Sequence, residues 1–193
     1  MADPDIERFP VRVTLRDGSP CSIRPLQESD ESAFREFHKA IPEREQLFVR
    51  NEIADGSLFH RWIADSEFNA TLPLIAFVDG SMAGLATLQL RNGGWKHHIG
   101  KLALLTHPDF HNLGIVDKLV AEIVTSAKNN GLLRLESELN RDREKAIKAL
   151  AEAGFEQFLR LTDYIQDMRG NFHDYVLMGT SLRASFENLG LGD

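Results

Sequence analysis

The sequence predicts an α/β domain built on a mixed sheet, and three features carry that expectation. Alternating apolar runs flank Asp17-Gly18 and Asp79-Gly80, a pattern of strands joined by tight turns. A broad apolar face repeats at helical spacing through residues 115–128. Strand-like and helix-like stretches interleave along the chain, which favours one layered domain over separate blocks. With 193 residues the chain can bury a large single core.

The first element is a hairpin from Val11 to Leu26 about Asp17-Gly18. Ser29 or Asp30 caps the next, a helix whose Phe34, Phe37 and Ile41 share a face and which Pro42 stops. A short helix follows over 57–66, with Leu58 and Trp62 on one side. Residues 72–78 and 81–90 read as strands, the second with Met82, Gly84, Ala86, Leu88 and Leu90 alternating along one face. Asn92-Gly93-Gly94 turns the chain into a strand over 96–106.

The clearest helix comes next. Ile115, Leu119 and Ile123 form its central row, Val116, Val120, Val124 and Ala127 widen it, and Asn129-Asn130-Gly131 ends it. A strand over 132–139, a helix over 142–154 closed by Gly154, and two strands about Gly170-Asn171 complete the order. The organisation expected is an extension over 1–10, a domain over 11–182 and a tail over 183–193.

Composition narrows the function classes. The formal net charge of −7 argues against bulk binding to nucleic acid. Cys21 is the single cysteine, which excludes an internal disulfide and a zinc site of several thiolates. The N-terminus lacks a basic start followed by an apolar stretch, and no run approaches ~18 apolar residues, so neither a secretory signal nor a membrane span is expected. The expectation is a soluble, cytoplasmic protein, and a homodimer is compatible with it. His97, His98, His107 and His111 span one strand and its loop, with no cysteine nearby and no His-x-x-x-His on a helix, so no metal is expected.

The stretch HPDFHNLGIVDKLV, from His107, links a strand to the clearest helix. Such a junction presents free backbone N–H groups and the positive end of a helix dipole, which suit pyrophosphate oxygens. Gly114 removes a side chain where an anion would approach, and His111 adds a donor at the rim. Leu104-Leu105-Thr106 ends the strand, Pro108-Asp109-Phe110 makes the step, and His111-Asn112-Leu113-Gly114-Ile115-Val116 forms the loop. In these residues, and in the later stretch ending Gly154-Phe155, the chain resembles the GNAT N-acetyltransferase family over roughly residues 11–182. Its early stretch VTLRDGSPCSIRPLQESDESAF is similar to acetyltransferase domains related to bacterial protein-lysine acetyltransferases.

The resemblance implies a mostly antiparallel mixed sheet flanked by about four helices. It also implies acetyl-CoA as cosubstrate and an amine acceptor, either a small amine or a protein lysine. It places CoA against residues 104–106 and 111–116, with Asn140 and Arg143 beside them. Lys145 and Lys148 are further candidates for the phosphates.

Several residues depart from the family pattern. His111 stands for Gln or Arg, and Val116 for a final Gly or Ala. Counting back from Gly154, the family's asparagine falls on Arg143 and its tyrosine acid on Leu150. A glutamate of many lysine-acetylating relatives falls on Lys101. An attacking amine must shed a proton, which a carboxylate can take. Glu138 is the leading candidate and Asp163 the next, with Glu136 nearby. A backbone N–H near Leu105 or Thr106 suits a developing oxyanion. Tyr164 and Tyr175 are the only tyrosines to replace the missing acid. His173-Asp174 either touches substrate or pairs with Arg169. The rival reading is a CoA-binding regulatory module that has lost the chemistry.

Overall fold

The computed structural model describes residues 6–42, 45, 57–64, 70–91 and 93–183. The strands are β1 (Val11–Thr14), β2 (Pro20–Pro25), β3 (Thr71–Val78), β4 (Ser81–Gln89), β5 (Ile99–Thr106), β6 (Arg134–Asn140), β7 (Glu156–Gln166) and β8 (Phe172–Ser181). The α-helices among the described residues are α1 (Glu31–Ala40), α2 (Ser57–Ala64), α3 (Ile115–Asn129) and α4 (Glu144–Glu152). All eight strands join one sheet in the order β1-β2-β3-β4-β5-β6-β8-β7. Every neighbouring pair is antiparallel except β5 and β6. This is the mixed, mostly antiparallel α/β arrangement that the sequence implies.

Each face of the sheet carries its own helices. Leu119, Ile123 and Ala127 of α3 pack with Leu74, Ala86, Leu88, Leu102 and Leu135, and Leu150 of α4 joins this core. On the other face, Phe34 and Phe37 of α1 and Phe59 and Trp62 of α2 pack with Ile75, Met82 and Leu85. Phe59 was not among the residues expected to face inward, yet it is fully buried and its ring lies 5.5 Å from that of Phe34.

Strand β4 departs from strict alternation, as β7 does at two places. Ala76 pairs with Gly84 but Phe77 pairs with Met82, so Ala83 is an extra residue in β4. This bulge turns Met82 to the α1–α2 side, away from Gly84, Ala86 and Leu88. Gly84 is required where α3 crosses the sheet, because a Cβ there would lie 2.9 Å from Ile115 Cγ2 and 3.0 Å from Leu119 Cδ1.

The remaining differences are local. The strand expected from residue 96 begins at Ile99, because residues 95–98 form a turn and the Ile99 N–H donates to the Lys96 carbonyl at 3.0 Å. His98 therefore precedes the strand that carries Lys101. Asp30 makes no side-chain cap for α1. Its carboxylate takes two bonds from Arg24, each 2.7 Å, and one from the Gln27 N–H. At the N-terminus, Ile6–Arg8 form a 3-10 turn, and Ile6 and Phe9 pack against the α3-side core. Arg8 bonds the Glu122 carboxylate and, at 2.9 Å, the Ser126 hydroxyl of α3. Asn92, residues 65–66 of the second expected helix and most of the expected tail lie outside the described residues. Among the described residues no helix is long and apolar enough to cross a membrane.

Candidate functional site

The site begins where the sheet parts. β5 and β6 pair only over Ile99–Lys101 and Arg134–Glu136. Beyond that point β5 continues to Thr106 beside β4, and β6 continues to Asn140 beside β8. Each strand follows its antiparallel partner, so the two halves of the sheet splay. Backbone groups alternate between the two edges of a strand. The His107 N–H donates to the Ala83 carbonyl on the β4 side, at 3.0 Å. By alternation Leu105 also bonds toward β4, whereas Leu104 and Thr106 turn their N–H and C=O toward the splay. Arg143 Nη2 meets the Leu104 carbonyl there at 2.8 Å. Of the two residues expected to offer an oxyanion donor, Thr106 has an amide on the open edge and Leu105 does not.

After β5, Pro108–Phe110 make a 3-10 turn, and Asn112 (φ 69°) and Gly114 (φ 82°) bring the chain into α3. Lys118 is the first residue to bond back, to the Gly114 carbonyl at 3.2 Å. The amides of Ile115, Val116 and Asp117 therefore have no intrahelical acceptor. Arg16, from the β1–β2 turn, closes the other side. Its N–H donates to the Leu113 carbonyl at 3.1 Å, and its guanidinium pairs with Asp117 at 2.7 Å. A Cβ on Gly114 would lie 3.2 Å from Arg16 Nε, an exposed side chain that can yield, so it is the positive φ that favours glycine here.

The splay and the start of α3 open into one groove of about 570 Å3, a size suited to a ligand larger than a metabolite fragment. One wall holds Leu104, Thr106, His111, Asn112, Gly114, Ile115 and Val116. The other holds Asn140, Arg143, Lys145 and Lys148, with Asp167 and His173 also lining it. Leu105 and Leu113 do not line it. The Leu105 side chain packs toward the α1–α2 core and that of Leu113 toward the α3 core. Arg143 is turned inward and also pairs with Glu45 at 3.3 Å. Burial lowers the guanidinium's pKa, and Glu45 opposes that shift. The lining also holds Glu45, Asp117, Asp142, Glu144 and Glu152, with Arg16 paired to Asp117 and Lys148 to Glu152 at 3.8 Å, so the amides at the start of α3 and the open strand edge are the features suited to an anionic, amide-bearing ligand.

The two candidate proton acceptors lie elsewhere. Leu135, Leu139, Val176 and Met178 face the α3 core, so Glu136, Glu138 and Tyr175 face the opposite side of the sheet. Glu138 is paired with Lys101 at 2.7 Å. The Tyr175 hydroxyl is pushed up to about 12 by desolvation, with Glu138, Glu136 and Tyr164 adding to the shift. Asp163 sits in an irregular stretch of β7 with φ 49°, and its N–H donates to Asp174 at 3.2 Å. Neither Glu138 nor Asp163 lines the groove. Leu150, at the count position of the family's tyrosine, is fully buried in the α3-side core.

Two features had no sequence signal. Arg16 stands 101 residues from its partner Asp117. His173 bridges Asp167 (3.1 Å) and Asp142 (3.2 Å), tying the β7–β8 hairpin to the β6–α4 loop. Asp174 pairs with Arg160 at 2.6 Å, not with Arg169. Desolvation raises the Asp167 carboxyl, but bonds from Asn171, His173 and the Arg169 N–H overcome it and hold the group well below the usual carboxylate range. The bond to Asp167 is the main cause that raises His173.

The model of the acetyltransferase (GNAT) family matches residues 27–155. The GNAT domain of "S. lividans PAT" superposes with a TM-score of 0.70 at 17% identity, covering 89% of this chain and 96% of that one. RimJ of Mycobacterium smegmatis, solved with CoA-disulfide, gives 0.72 at 16% identity over 90% of this chain and 88% of its own. The putative acetyltransferase yncA of Salmonella typhimurium, solved with acetyl-CoA, gives 0.71 at 15% identity over 85% and 95%. No curated protein matches the sequence.

Proposed function

Because the chain belongs to the acetyltransferase (GNAT) family, we propose that it transfers an acetyl group from acetyl-CoA to an amine by direct attack in a ternary complex. The observation that carries this reading is the splay of β5 from β6 beside the unpaired amides at the start of α3. Acetyl-CoA, when bound, supplies an activated acyl group as a thioester and a thiol as leaving group.

The chain's own residues would act as follows. The amides of Ile115, Val116 and Asp117 hold pyrophosphate oxygens, with Arg16 and Lys145 supplying charge at the rim. The open edge of Thr106, and that of Leu104 once Arg143 releases its carbonyl, align an amide-bearing arm, and a strand N–H there steadies negative charge on a carbonyl oxygen. The acceptor approaches on the face that carries Glu136, Glu138 and Tyr175. A proton from its ammonium passes to Glu138 once the carboxylate leaves Lys101. The amine must be neutral to attack, so proton removal precedes formation of the new C–N bond.

The acceptor is a protein lysine or a small amine. A second reading, a CoA-binding module without chemistry, draws on two observations: Lys101 occupies Glu138, and Leu150 is a core residue. The deciding experiment measures CoA release from acetyl-CoA with lysine peptides and small amines. Acceptor-dependent release supports transfer. CoA binding with no release across the panel supports the second reading.

A further inference from the structure

Arg143 stands at the N-cap of α4 and makes no side-chain cap there. A cation is poorly placed at the positive end of a helix, and this one is drawn inward. Its backbone is fixed, since its N–H donates to the Asn140 carbonyl at 3.1 Å and its carbonyl accepts from Ile147 at 3.0 Å. The side chain then crosses the splay to the Leu104 carbonyl, 39 residues away in sequence. Glu45, beyond α1, takes the same guanidinium at 3.3 Å. One side chain thus links α4, the open edge of β5 and the connection between α1 and α2.

We propose that Arg143 is an internal occupant of that strand edge, which weakens binding of the amide-bearing arm of CoA and leaves its nucleotide end untouched. The proposal rests on the acetyl-CoA reading above. An extended arm with secondary amides needs donors and acceptors along a strand edge, and Leu104 offers one of the acceptors. The guanidinium holds that carbonyl by a charge-assisted bond and reaches into the space between the strands. Glu45 keeps it there. An arm that enters must move the guanidinium aside, whereas a ligand confined to the α3 amides need not. Arg143 is therefore a positioning residue that sets the balance between the two ends of the ligand.

The test uses calorimetric titration of the full chain with two probes: CoA, and adenosine 3′,5′-bisphosphate, which lacks the arm. Arg143→Ala is expected to tighten CoA by roughly tenfold, equivalent to about 1.4 kcal/mol, and to leave the bisphosphate unchanged. Glu45→Gln should shift CoA in the same direction by less. If thermal melts show that Arg143→Ala does not fold, Arg143→Gln carries the same expectation. Weaker or unchanged CoA binding in a folded variant overturns the proposal, as does an equal shift for both probes. No binding of either probe by parent or variants removes the acetyl-CoA reading and the proposal with it.

Discussion

Lys101 Nζ lies 2.7 Å from Glu138 Oε2, just past the last rung at which their strands pair, Lys101 with Glu136. The contact spans the splay on the face away from α3. Lys101 takes the count position of a family carboxylate, so the carboxylate that remains in this pair comes from the neighbouring strand. Both side chains are about a third exposed, and such a pair adds roughly 0.2–1 kcal/mol. Lys101→Met should therefore alter stability by less than about 1 kcal/mol and leave Glu138 free to take a proton. Glu138→Gln should slow acetyl transfer by ~10²-fold or more at saturating acetyl-CoA. Amine-dependent CoA release checks both, with melts as control. Equal rates in parent and Glu138→Gln would assign the proton to water.

The loop at α3 gives a second expectation. Gly114 has φ 82°, and a Cβ there would meet Arg16 at 3.2 Å. Gly114→Asp adds backbone strain of about 1–2 kcal/mol and places a negative charge where an anion is expected. It should lower the melting temperature and abolish CoA binding. Val116 lines the groove but contributes a backbone amide that does not depend on its side chain, so Val116→Ala should bind CoA at least as tightly as the parent. Titration with CoA separates the two. Parent-like affinity in Gly114→Asp would move the pyrophosphate site elsewhere.

These expectations show which parts of the site the sequence encodes locally. The order of elements was legible because each carries its own signal, such as the Ile115, Leu119 and Ile123 row or the Asp79-Gly80 turn, where both residues have positive φ. The face of Met82 was not, because a bulge at Ala83 is settled by pairing with β3. The difference between Leu105 and Thr106 is also non-local: the partner strand decides which edge an amide faces. Arg143 was legible as a groove residue, but its target, the Leu104 carbonyl, is a backbone atom and leaves no trace in sequence. The same holds for Arg16, whose place beside Asp117 depends on how the β1–β2 turn meets α3.

The Asp167–His173–Asp142 contact predicts a pH dependence. His173 is raised from its ordinary 6.5, chiefly by the bond to Asp167. A raised folded value means that its contribution is full below the unfolded value of ~6.5 and is lost as pH climbs through the higher folded value. Asp167 is lowered, so its contribution is present above its unfolded value and lost only in strong acid. The pair is complete between those limits. His173→Gln should therefore lower the melting temperature most at about pH 5 and least above about pH 8. A difference that is constant across this range would show that the histidine acts by packing alone.

The last expectation concerns protons on the leaving side of the reaction. Leu150 is sealed in the α3-side core and cannot protonate a thiolate. Cys21 is buried as well, and burial raises its thiol, so a covalent route through it is closed. Tyr175 is pushed up to about 12, first by desolvation and then by Glu138 and Glu136. It holds its proton throughout the neutral range, but so high a value makes it a reluctant acid. A thiol with an ordinary pKa of ~8.5 leaves without help near neutral pH. Tyr175→Phe should thus keep acceptor-dependent CoA release close to the parent rate, and Cys21→Ala should do the same. In Glu138→Gln, which lacks the base, the rate should follow the neutral fraction of the acceptor, rising tenfold for roughly each pH unit until the amine titrates. A bell-shaped profile whose alkaline limb disappears in Tyr175→Phe would overturn this and make the tyrosine the acid.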